Sequence, residues 1–345
     1  HIPKLFEKMG YKNVYIVPEQ EEPNAYFPTV EKPNPEEIRA NDMAINLAKK
    51  IDADYTITTD PDTDRIGISV RDKSGQYIML SGNEMGILFT DYILSQKANR
   101  DELKDNSVVI STVVSTRLTK EIAKKYNVKY LTTLTGFKYI GELINQFEEE
   151  KSLKFQFGFE ESYGYLYGTN ARDKDAVSAT MLAAEMFTYY KKENKTLLDR
   201  LKEIYEEFGY YISVNEQLVL TGEEGQEKIA EIINALRKKP IVEIDGIKTR
   251  IIRDYKTSEN HNLLTGEKGK EVLPKSNVIH YEMEDGSWFA VRPSGTEPKL
   301  KFYYEVKGKT EDEAKEKCKK IKQEINKIKS LADNSGKTKI VMSKK

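Results

Sequence analysis

The feature that most constrains the fold is a pair of β-branched runs followed by a helical pattern. Residues 108–110 (V-V-I) and 113–114 (V-V) are continuous and apolar, as is typical of strands buried on both faces in a parallel sheet. Leu118 and Ile122 follow on one face of a predicted helix. The preceding residues show the order helix, strand, loop, strand. This alternation predicts the α/β class.

Length and local pattern predict the domain organisation. A chain of 345 residues predicts two or three domains of about 150 residues each, and strands with charged helices dominate after residue 208. We expect an α/β domain at 1–84, a second at 85–206, a smaller α+β domain at 207–330 and a polar tail at 331–345.

Local signals predict the ends of some elements. Residues 14–17 (V-Y-I-V) predict a strand, and N-P-E-E at 34–37 predicts a helix start with Asn as N-cap and Pro at the first helical position. Thr310 and Glu313 predict a capping box. In the amphipathic helix after it, Cys318 is expected to pack against the core and not to act as a nucleophile.

Composition argues against several classes of protein. The 55 Lys and Arg balance 56 Asp and Glu, so neither nucleic acid nor an anionic membrane is expected as the main partner. No apolar run approaches the ~20 residues that cross a bilayer. One cysteine fits a reducing compartment, and we expect a cytoplasmic protein. With only three histidines, neither a histidine-rich metal site nor a Ser-His-Asp triad is expected.

The stretch T-T-D-P-D-T-D-R, residues 58–65, concentrates negative charge between two strand-like runs. Asp60, Asp62 and Asp64 occupy alternate positions and Arg65 follows. In an extended chain alternate side chains point the same way, so the carboxylates are expected to converge on one cation. Hard oxygen ligands favour Mg²⁺ or Ca²⁺ over Zn²⁺.

Other interpretations of this acid loop fit less well. An EF-hand needs Gly at the sixth position and Glu at the twelfth, where this chain has Arg65 and Arg71. A phosphatase of the haloacid-dehalogenase type has Thr or Val two residues after its second Asp, where this chain has Asp64. A solvated turn rich in Asp is the remaining alternative, and it is less favoured for three carboxylates beside an arginine.

A second loop, V-R-P-S-G-T-E-P-K-L at 291–300, has groups that bind phosphate. Arg292 offers a planar fork, Ser294 and Thr296 offer hydroxyls, and Gly295 lets backbone N–H groups turn inward. The alternative is an ordinary hairpin turn, which Pro, Ser and Gly also favour. The spacing alone leaves both open.

A third loop, F-E-E-S-Y-G at 159–164, places two carboxylates and a hydroxyl between apolar segments. Carboxylates accept hydrogen bonds from paired sugar hydroxyls, which favours a polyol ligand. The alternative is a helix N-terminus, where acidic residues stabilise the dipole. The nearby R-D-K-D at 172–175 is expected to be a solvated charge cluster, or a source of counter-charge if a phosphosugar binds.

In this order the three loops resemble those of the α-D-phosphohexomutases, the family of phosphoglucomutase and phosphomannomutase. The resemblance covers nearly the whole chain. The form of G-F-E-E-S-Y-G followed by R-D-K-D is most similar to the phosphoglucomutase branch that includes phosphopentomutase-like and glucose-1,6-bisphosphate-synthase-like members. It implies two mixed-sheet α/β domains, the first incomplete, and a smaller α+β domain. Further matching segments are F-P-T-V-E-K-P-N-P-E-E, G-N-E-M-G and L-T-G-F-K-Y-I.

The resemblance implies a Mg²⁺-dependent exchange of phosphate between the 1- and 6-positions of a hexose, through a phosphoserine and a hexose 1,6-bisphosphate. It assigns Mg²⁺ to Asp60, Asp62 and Asp64, the transferred phosphoryl group to Arg65 and Lys138, sugar hydroxyls to Glu160 and Ser162, and the non-reacting phosphate to Arg292, Ser294, Gly295 and Thr296.

One departure from the family pattern concerns the donor serine, which the family carries in a T-A-S-H-N-P segment. In this chain Asn260 precedes His261 and Ile279 precedes His280. The expectation is a carboxy-terminal piece without the phosphoserine domain that does not complete the cycle alone. A non-catalytic phosphosugar- or metal-binding module, or another phosphoryl-transfer enzyme such as a phosphatase, stays open, as does the choice among glucose, mannose and pentose phosphates.

Overall fold

In the computed structural model, which describes residues 2–295 and 298–331, the chain divides into two units, His1–Glu207 and Phe208–Lys345. The first unit alternates helices and strands. Its elements are α1 (Ile2–Lys8), α2 (Asp42–Ile51), β1 (Tyr55–Thr59), β2 (Ile66–Arg71), β3 (Tyr77–Leu80), α3 (Gly82–Asn99), β4 (Ser107–Thr112), α4 (Leu118–Lys125), β5 (Lys129–Thr133), α5 (Phe137–Glu150), β6 (Lys154–Glu160), β7 (Gly164–Tyr167), α6 (Ala176–Lys192) and α7 (Leu197–Phe208).

The β-branched run at 108–110 forms the centre of a four-stranded sheet with the order β5-β4-β6-β7. Strand β4 is buried along its whole length and pairs in parallel with β5 and β6, while β7 is antiparallel to β6. Val108 and Ile110 pack against the buried face of α5, which includes Ile140 and Ile144. The α/β prediction is confirmed.

A second sheet of this unit is antiparallel, with the order β1-β2-β3. Thr59 at the end of β1 pairs with Ile66 at the start of β2. The acid loop is therefore the connection between two paired strands. An isolated bridge between Arg65 and Gly164 links this connection to the start of β7.

The second unit is built on one large antiparallel sheet with two long helices. Its strand order is β12-β11-β10-β13-β14-β15-β8, and β9 pairs with β10. Its elements are β8 (Tyr210–Val219), α8 (Gly222–Lys238), β9 (Glu243–Ile244), β10 (Ile247–Asp254), β11 (Glu259–Asn262), β12 (Lys268–Lys270), β13 (Ile279–Met283), β14 (Trp288–Pro293), β15 (Lys299–Gly308) and α9 (Glu311–Ser330).

The core of the second unit lies between this sheet and both helices. Phe289 and Phe302 from the sheet cluster with Ile232 of α8 and Ile321 of α9. Cys318 is partly buried against the same cluster, so its predicted packing role is confirmed. None of the helices in the described ranges combines the length and the apolar character that a membrane span needs.

The strand predicted at 14–17 is absent, since no strand is assigned there. Tyr15 is 62% exposed, and Val14 and Ile16 are more than a third exposed. β-Branched residues favour strands only where a partner strand and a packed face accompany them, and this segment has neither among the described residues.

Two helix starts differ from their predictions. The N-P-E-E segment forms a turn, because Asn34 Oδ1 accepts the N–H of Glu36 at 3.0 Å, and a 3₁₀ turn precedes α2, which begins only at Asp42. Thr310 caps α9 as predicted. The Glu313 carboxylate instead accepts the N–H of Lys309 at 2.8 Å, so the capping box is half formed.

Candidate functional site

The acid loop brings its three carboxylates together. Asp60, Asp62 and Asp64 each place one oxygen within 4.8 Å of the others. The reason is a tight turn and not the extended backbone that the spacing predicted. Asp60 Oδ1 accepts the N–H groups of Asp64 and Arg65 at 3.0 Å, and Thr63 has a φ of +59°, in the left-handed region.

Charge in this loop is crowded and incompletely compensated. Arg65 Nε lies 3.6 Å from both Asp60 Oδ2 and Asp64 Oδ1, which is too far for a hydrogen bond. The buried Asp64 Oδ1 has no hydrogen-bond partner among the described atoms. Burial, with the charges of Asp64 and Asp62, raises the pKa of Asp60 to about 6.

These observations fit a divalent cation. A site made only of carboxylate oxygens matches the hard cations Mg²⁺ and Ca²⁺. A bound cation would offset the mutual repulsion of the three carboxylates and would give Asp64 Oδ1 a positively charged partner.

The acid loop, residues 58–65, lies beside the E-E-S loop, which is the segment F-E-E-S-Y-G at 159–164. The N–H of Ile66 donates to the carbonyl of Tyr163 at 3.1 Å, and the N–H of Ala176 donates to the carbonyl of Thr63 at 3.1 Å. Tyr163 also has a positive φ, +67°. One backbone hydrogen bond therefore joins the segment predicted to bind metal to the loop predicted to bind sugar, and a second joins it to the start of α6.

The first carboxylate of the E-E-S loop faces the segment that carries Lys138. Glu160 is 7% exposed, and its Oε1 accepts the N–H of Gly136 at 2.6 Å. Burial raises the pKa of Glu160, although this bond and the charges of Lys174 and Arg65 oppose the rise. Gly136 has a φ of +116°, which a residue with a Cβ adopts only under strain.

Lys138 itself lies at the second position of α5 and is exposed. Its Nζ is 4.9 Å from the centre of the Tyr139 ring. The structure brings the backbone before Lys138 to Glu160, whereas the ammonium of Lys138 forms no ion pair with the acid loop in the described residues.

The second carboxylate, Glu161, holds the E-E-S loop on the end of β4. Its Oε2 accepts hydrogen bonds from Thr112 Oγ1 at 3.0 Å and Ser115 Oγ at 3.3 Å. A Cβ on Gly82, the first residue of α3, would lie 2.0 Å from the carbonyl oxygen of Glu161. Ser162, next in the loop, is partly exposed.

Lys174 belongs to the site, although the sequence placed it only in a charge cluster and did not assign it to the acid loop. Its Nζ lies 2.9 Å from Asp64 Oδ2 and 2.8 Å from Asp173 Oδ1, and its side chain is 12% exposed. Burial alone would lower the pKa of Lys174, but the two carboxylates raise it. The prediction of a solvated cluster at 172–175 is wrong for Lys174, whose side chain is mostly buried. A run of charged residues does not indicate which of its side chains is buried.

The predicted phosphate loop belongs to the second unit, between β14 and β15. Arg292 pairs opposite Lys301, and the N–H of Ser294 donates to the carbonyl of Lys299 at 2.8 Å. Gly295 is exposed. Thr296 lies outside the described residues.

Models of known families match the chain in three segments. Residues 1–75 match "Phosphoglucomutase/phosphomannomutase, alpha/beta/alpha domain II", residues 81–208 match domain III of the same family, and residues 227–324 match its C-terminal domain. The chain belongs to the phosphoglucomutase/phosphomannomutase family.

Curated relatives support this family membership. The chain is 38% identical over 316 residues to a phosphoglucomutase of Staphylococcus aureus strain MSSA476, covering 92% of the chain and 56% of that protein. It is 39% identical over 306 residues to that of strain MRSA252, covering 89% and 54%. The chain thus spans a little more than half the length of these relatives.

Solved structures of phosphoglucomutase/phosphomannomutase proteins share the fold. The open form of Paramecium parafusin, a phosphoglucomutase, has a TM-score of 0.62 at 18% identity, covering 90% of this chain and 52% of that chain. A family protein from Burkholderia thailandensis has a TM-score of 0.59 at 16% identity, covering 98% and 58%.

Proposed function

We propose that this chain supplies the metal, sugar and phosphate loops of a Mg²⁺-dependent phosphosugar mutase of the phosphoglucomutase type. The proposal rests on one observation above the others. The carboxylates of Asp60, Asp62 and Asp64 gather within 4.8 Å next to the E-E-S loop, in a chain of this family. The proposal includes three domains, at residues 1–84, 85–206 and 207–330.

Asp60, Asp62 and Asp64 would hold the Mg²⁺, and Mg²⁺ supplies positive charge that stabilises a phosphoryl group during transfer. Arg65 stands beside the same carboxylates and adds a fixed positive charge. Phosphoryl transfer depends mainly on positioning and on cationic stabilisation, so a metal loop next to a guanidinium suits it. Lys138 would add a third cationic group as acid or electrostatic stabiliser.

The ligand would be a hexose phosphate, with a hexose 1,6-bisphosphate as the intermediate. Glu160 would accept hydrogen bonds from sugar hydroxyls, and the Ser162 hydroxyl would donate to them or accept from them. The hydrogen bond from Gly136 N–H orients Glu160. Arg292, Ser294, Gly295 and Thr296 would bind the phosphate that does not react.

The test is mutase activity of the natural protein that contains this chain, measured as formation of glucose 6-phosphate from glucose 1-phosphate with Mg²⁺ and glucose 1,6-bisphosphate. Asp62→Asn is expected to lower kcat/KM by at least ~100-fold, since removal of one preorganised electrostatic group costs about that much. Asp54→Asn, at the other end of β1 in an exposed pair with Lys191, is the matched control and is expected to retain activity.

Mannose 1-phosphate and ribose 1-phosphate in the same assay distinguish the hexomutase from a phosphopentomutase. Equal loss of activity in Asp62→Asn and Asp54→Asn, or no mutase activity on any of the three sugar phosphates, contradicts the proposal.

One observation favours a second candidate, a phosphosugar- or metal-binding module without turnover. No serine precedes a histidine in the 345 residues, so the donor segment implied by the family has no matching position in this chain. Incubation of this chain alone with glucose 1-phosphate, glucose 1,6-bisphosphate and Mg²⁺ is expected to give no glucose 6-phosphate. Turnover in that mixture would show that a donor is present in the chain.

A further inference from the structure

Lys174 occupies a position that matters for any cation at the acid loop. Its ammonium lies 2.9 Å from Asp64 Oδ2 and 2.8 Å from Asp173 Oδ1. Asp64 is one of the three residues whose carboxylates converge. In the structure, therefore, the ammonium group of Lys174 already forms an ion pair with one carboxylate of the acid loop.

The side chain of Lys174 packs closely against the backbone of Gly164. A Cβ on Gly164 would lie 2.2 Å from Lys174 Cδ, so the aliphatic stem crosses the E-E-S loop where only a glycine leaves room. The Nζ is also 5.7 Å from the centre of the Phe137 ring. A stem packed in this way fixes the ammonium next to Asp64 more firmly than a surface pair would.

An ammonium and a divalent cation cannot both gain fully from the same carboxylate. Two positive charges a few ångströms apart repel each other strongly where water is partly excluded. A cation bound by Asp60, Asp62 and Asp64 must either displace Lys174 from Asp64 Oδ2 or tolerate its charge. Both outcomes weaken the binding of the cation.

We propose that Lys174 is a built-in counter-ion that competes with the divalent cation for Asp64 and thereby sets the cation affinity of the acid loop. The proposal rests on the proposed function only in taking the acid loop as a cation site. A residue that served only to orient Asp64 would have the opposite effect on affinity, so the sign of the change decides between the two roles.

The test is calorimetric titration of the 345-residue chain with MgCl₂ at low ionic strength and about pH 8, where carboxylates are ionised. Lys174→Met keeps most of the apolar stem and removes the charge, and is expected to bind Mg²⁺ about tenfold more tightly than the unsubstituted chain. Lys174→Arg keeps the charge and is expected to stay within about twofold of it.

Lys73→Met is the matched control, since it removes one positive charge from the other end of β2. Lys73 is 81% exposed and paired with Asp199, and its loss is expected to leave Mg²⁺ affinity unchanged. If Lys174→Met binds Mg²⁺ no more tightly than the unsubstituted chain, the competition is refuted. The tenfold gain is also expected to shrink in high salt, because salt screens the repulsion.

Asp173→Asn tests the same idea without altering the lysine. It removes the other carboxylate that shares the ammonium, so Asp64 is expected to hold Lys174 more tightly and Mg²⁺ to bind about two- to threefold more weakly. This variant decides the question if Lys174→Met does not give the circular dichroism spectrum of the unsubstituted chain. Unchanged or tighter Mg²⁺ binding in Asp173→Asn would then refute the competition.

Asp62→Asn separates failure of this inference from failure of the proposed function. Suppose that the unsubstituted chain binds Mg²⁺, that Asp62→Asn abolishes this binding, and that Lys174→Met leaves it unchanged. The metal site is then supported and the competition is refuted. If neither the unsubstituted chain nor Lys174→Met binds Mg²⁺, both fall.

Discussion

Glu161 is a single residue whose protonation should be visible in the stability of the whole unit. Burial, with the charge of the adjacent Glu160 and a smaller contribution from Glu36, raises the pKa of Glu161 to about 7, although the Thr112 hydroxyl opposes the rise. The unfolded chain releases this proton near the usual value of 4.5. The folded state thus binds more protons between these two pH values.

The sign follows from proton linkage. The stability that protonated Glu161 contributes is complete below the unfolded pKa and is lost as the pH rises through about 7. We expect Glu161→Gln, which keeps the shape and is always neutral, to remove this part of the pH dependence, worth at most about 3 kcal/mol. Urea unfolding at closely spaced values between about pH 4 and pH 8 measures it.

Glu149→Gln is the control, because it removes an exposed carboxyl from α5 in the same unit. Its pH profile is expected to run parallel to that of the unsubstituted protein. A Glu161→Gln profile that is also parallel would contradict the assignment of a raised pKa to this carboxyl.

Sequence reasoning at the residue scale identified the carboxylates of the acid loop but not the geometry that gathers them. Alternation in an extended chain predicted the convergence of Asp60, Asp62 and Asp64, whereas a turn with Thr63 at positive φ produces it. Side-chain hydrogen bonds to the backbone, such as those of Asp60, compete with extended structure, and spacing alone does not reveal which one wins.

At the scale of elements, one buried ion pair joins helices α3 and α7. Arg200 Nε and Nη2 donate to the two oxygens of Asp91 at 2.9 and 2.8 Å, and the Asp91 side chain is 1% exposed. Tyr190 of α6 also reaches Asp91, at 3.4 Å. Three helices therefore meet at one carboxylate.

Removing one partner of a buried pair leaves a charge without compensation. We expect Arg200→Met to lower the free energy of unfolding by about 3–5 kcal/mol, and the double variant with Asp91→Asn to recover part of that loss. Chemical denaturation of the two variants measures both values.

Lys202→Met is the matched control on α7, since Lys202 forms an exposed pair with Glu206 and its loss is expected to change stability by less than about 1 kcal/mol. A loss in Arg200→Met no larger than in Lys202→Met would show that the pair does not hold the helices.

Elements with their own packing were predictable, and those that depend on distant partners were not. Strand β4 and the amphipathic α9 follow from local pattern, because burial on both faces or along one stripe leaves a clear hydrophobic period. The segment 14–17 has the right residues for a strand but no partner strand in the described structure. The 34–37 segment has residues that favour a helix start, but the Asn34 side chain forms a turn there instead, and helix α2 begins only at Asp42.

At the scale of the whole molecule, the order of fold types along the chain was predictable from sequence. An α/β unit, His1–Glu207, precedes one with a large antiparallel sheet, Phe208–Lys345. The parallel direction of β4 was predictable from its apolar run, whereas the strand order of the large antiparallel sheet was not, because strands such as β8 and β15 pair across a long stretch of sequence. The same limit applied to Lys174, whose contact with Asp64 spans more than a hundred residues.

The acid loop and the cationic groups beside it belong to the first unit, which leads to a last prediction. The three carboxylates, Arg65 and Lys174 all belong to His1–Glu207, which has its own buried cluster around β4 and α5. A unit with its own core is expected to fold alone. A chain that ends at Glu207 should therefore bind Mg²⁺ with a dissociation constant within about threefold of that of the 345-residue chain.

Calorimetric titration of both chains makes the comparison, and circular dichroism first establishes that the shorter chain unfolds cooperatively. Asp62→Asn in the shorter chain is expected to abolish the heat of Mg²⁺ binding, which ties that heat to the acid loop. A shorter chain that folds cooperatively but fails to bind Mg²⁺, while the 345-residue chain binds it, would mean that the second unit provides part of the cation site. In that case carboxylate convergence within the first unit would be insufficient for binding, because three oxygens leave three of the six positions of Mg²⁺ to water or to other ligands.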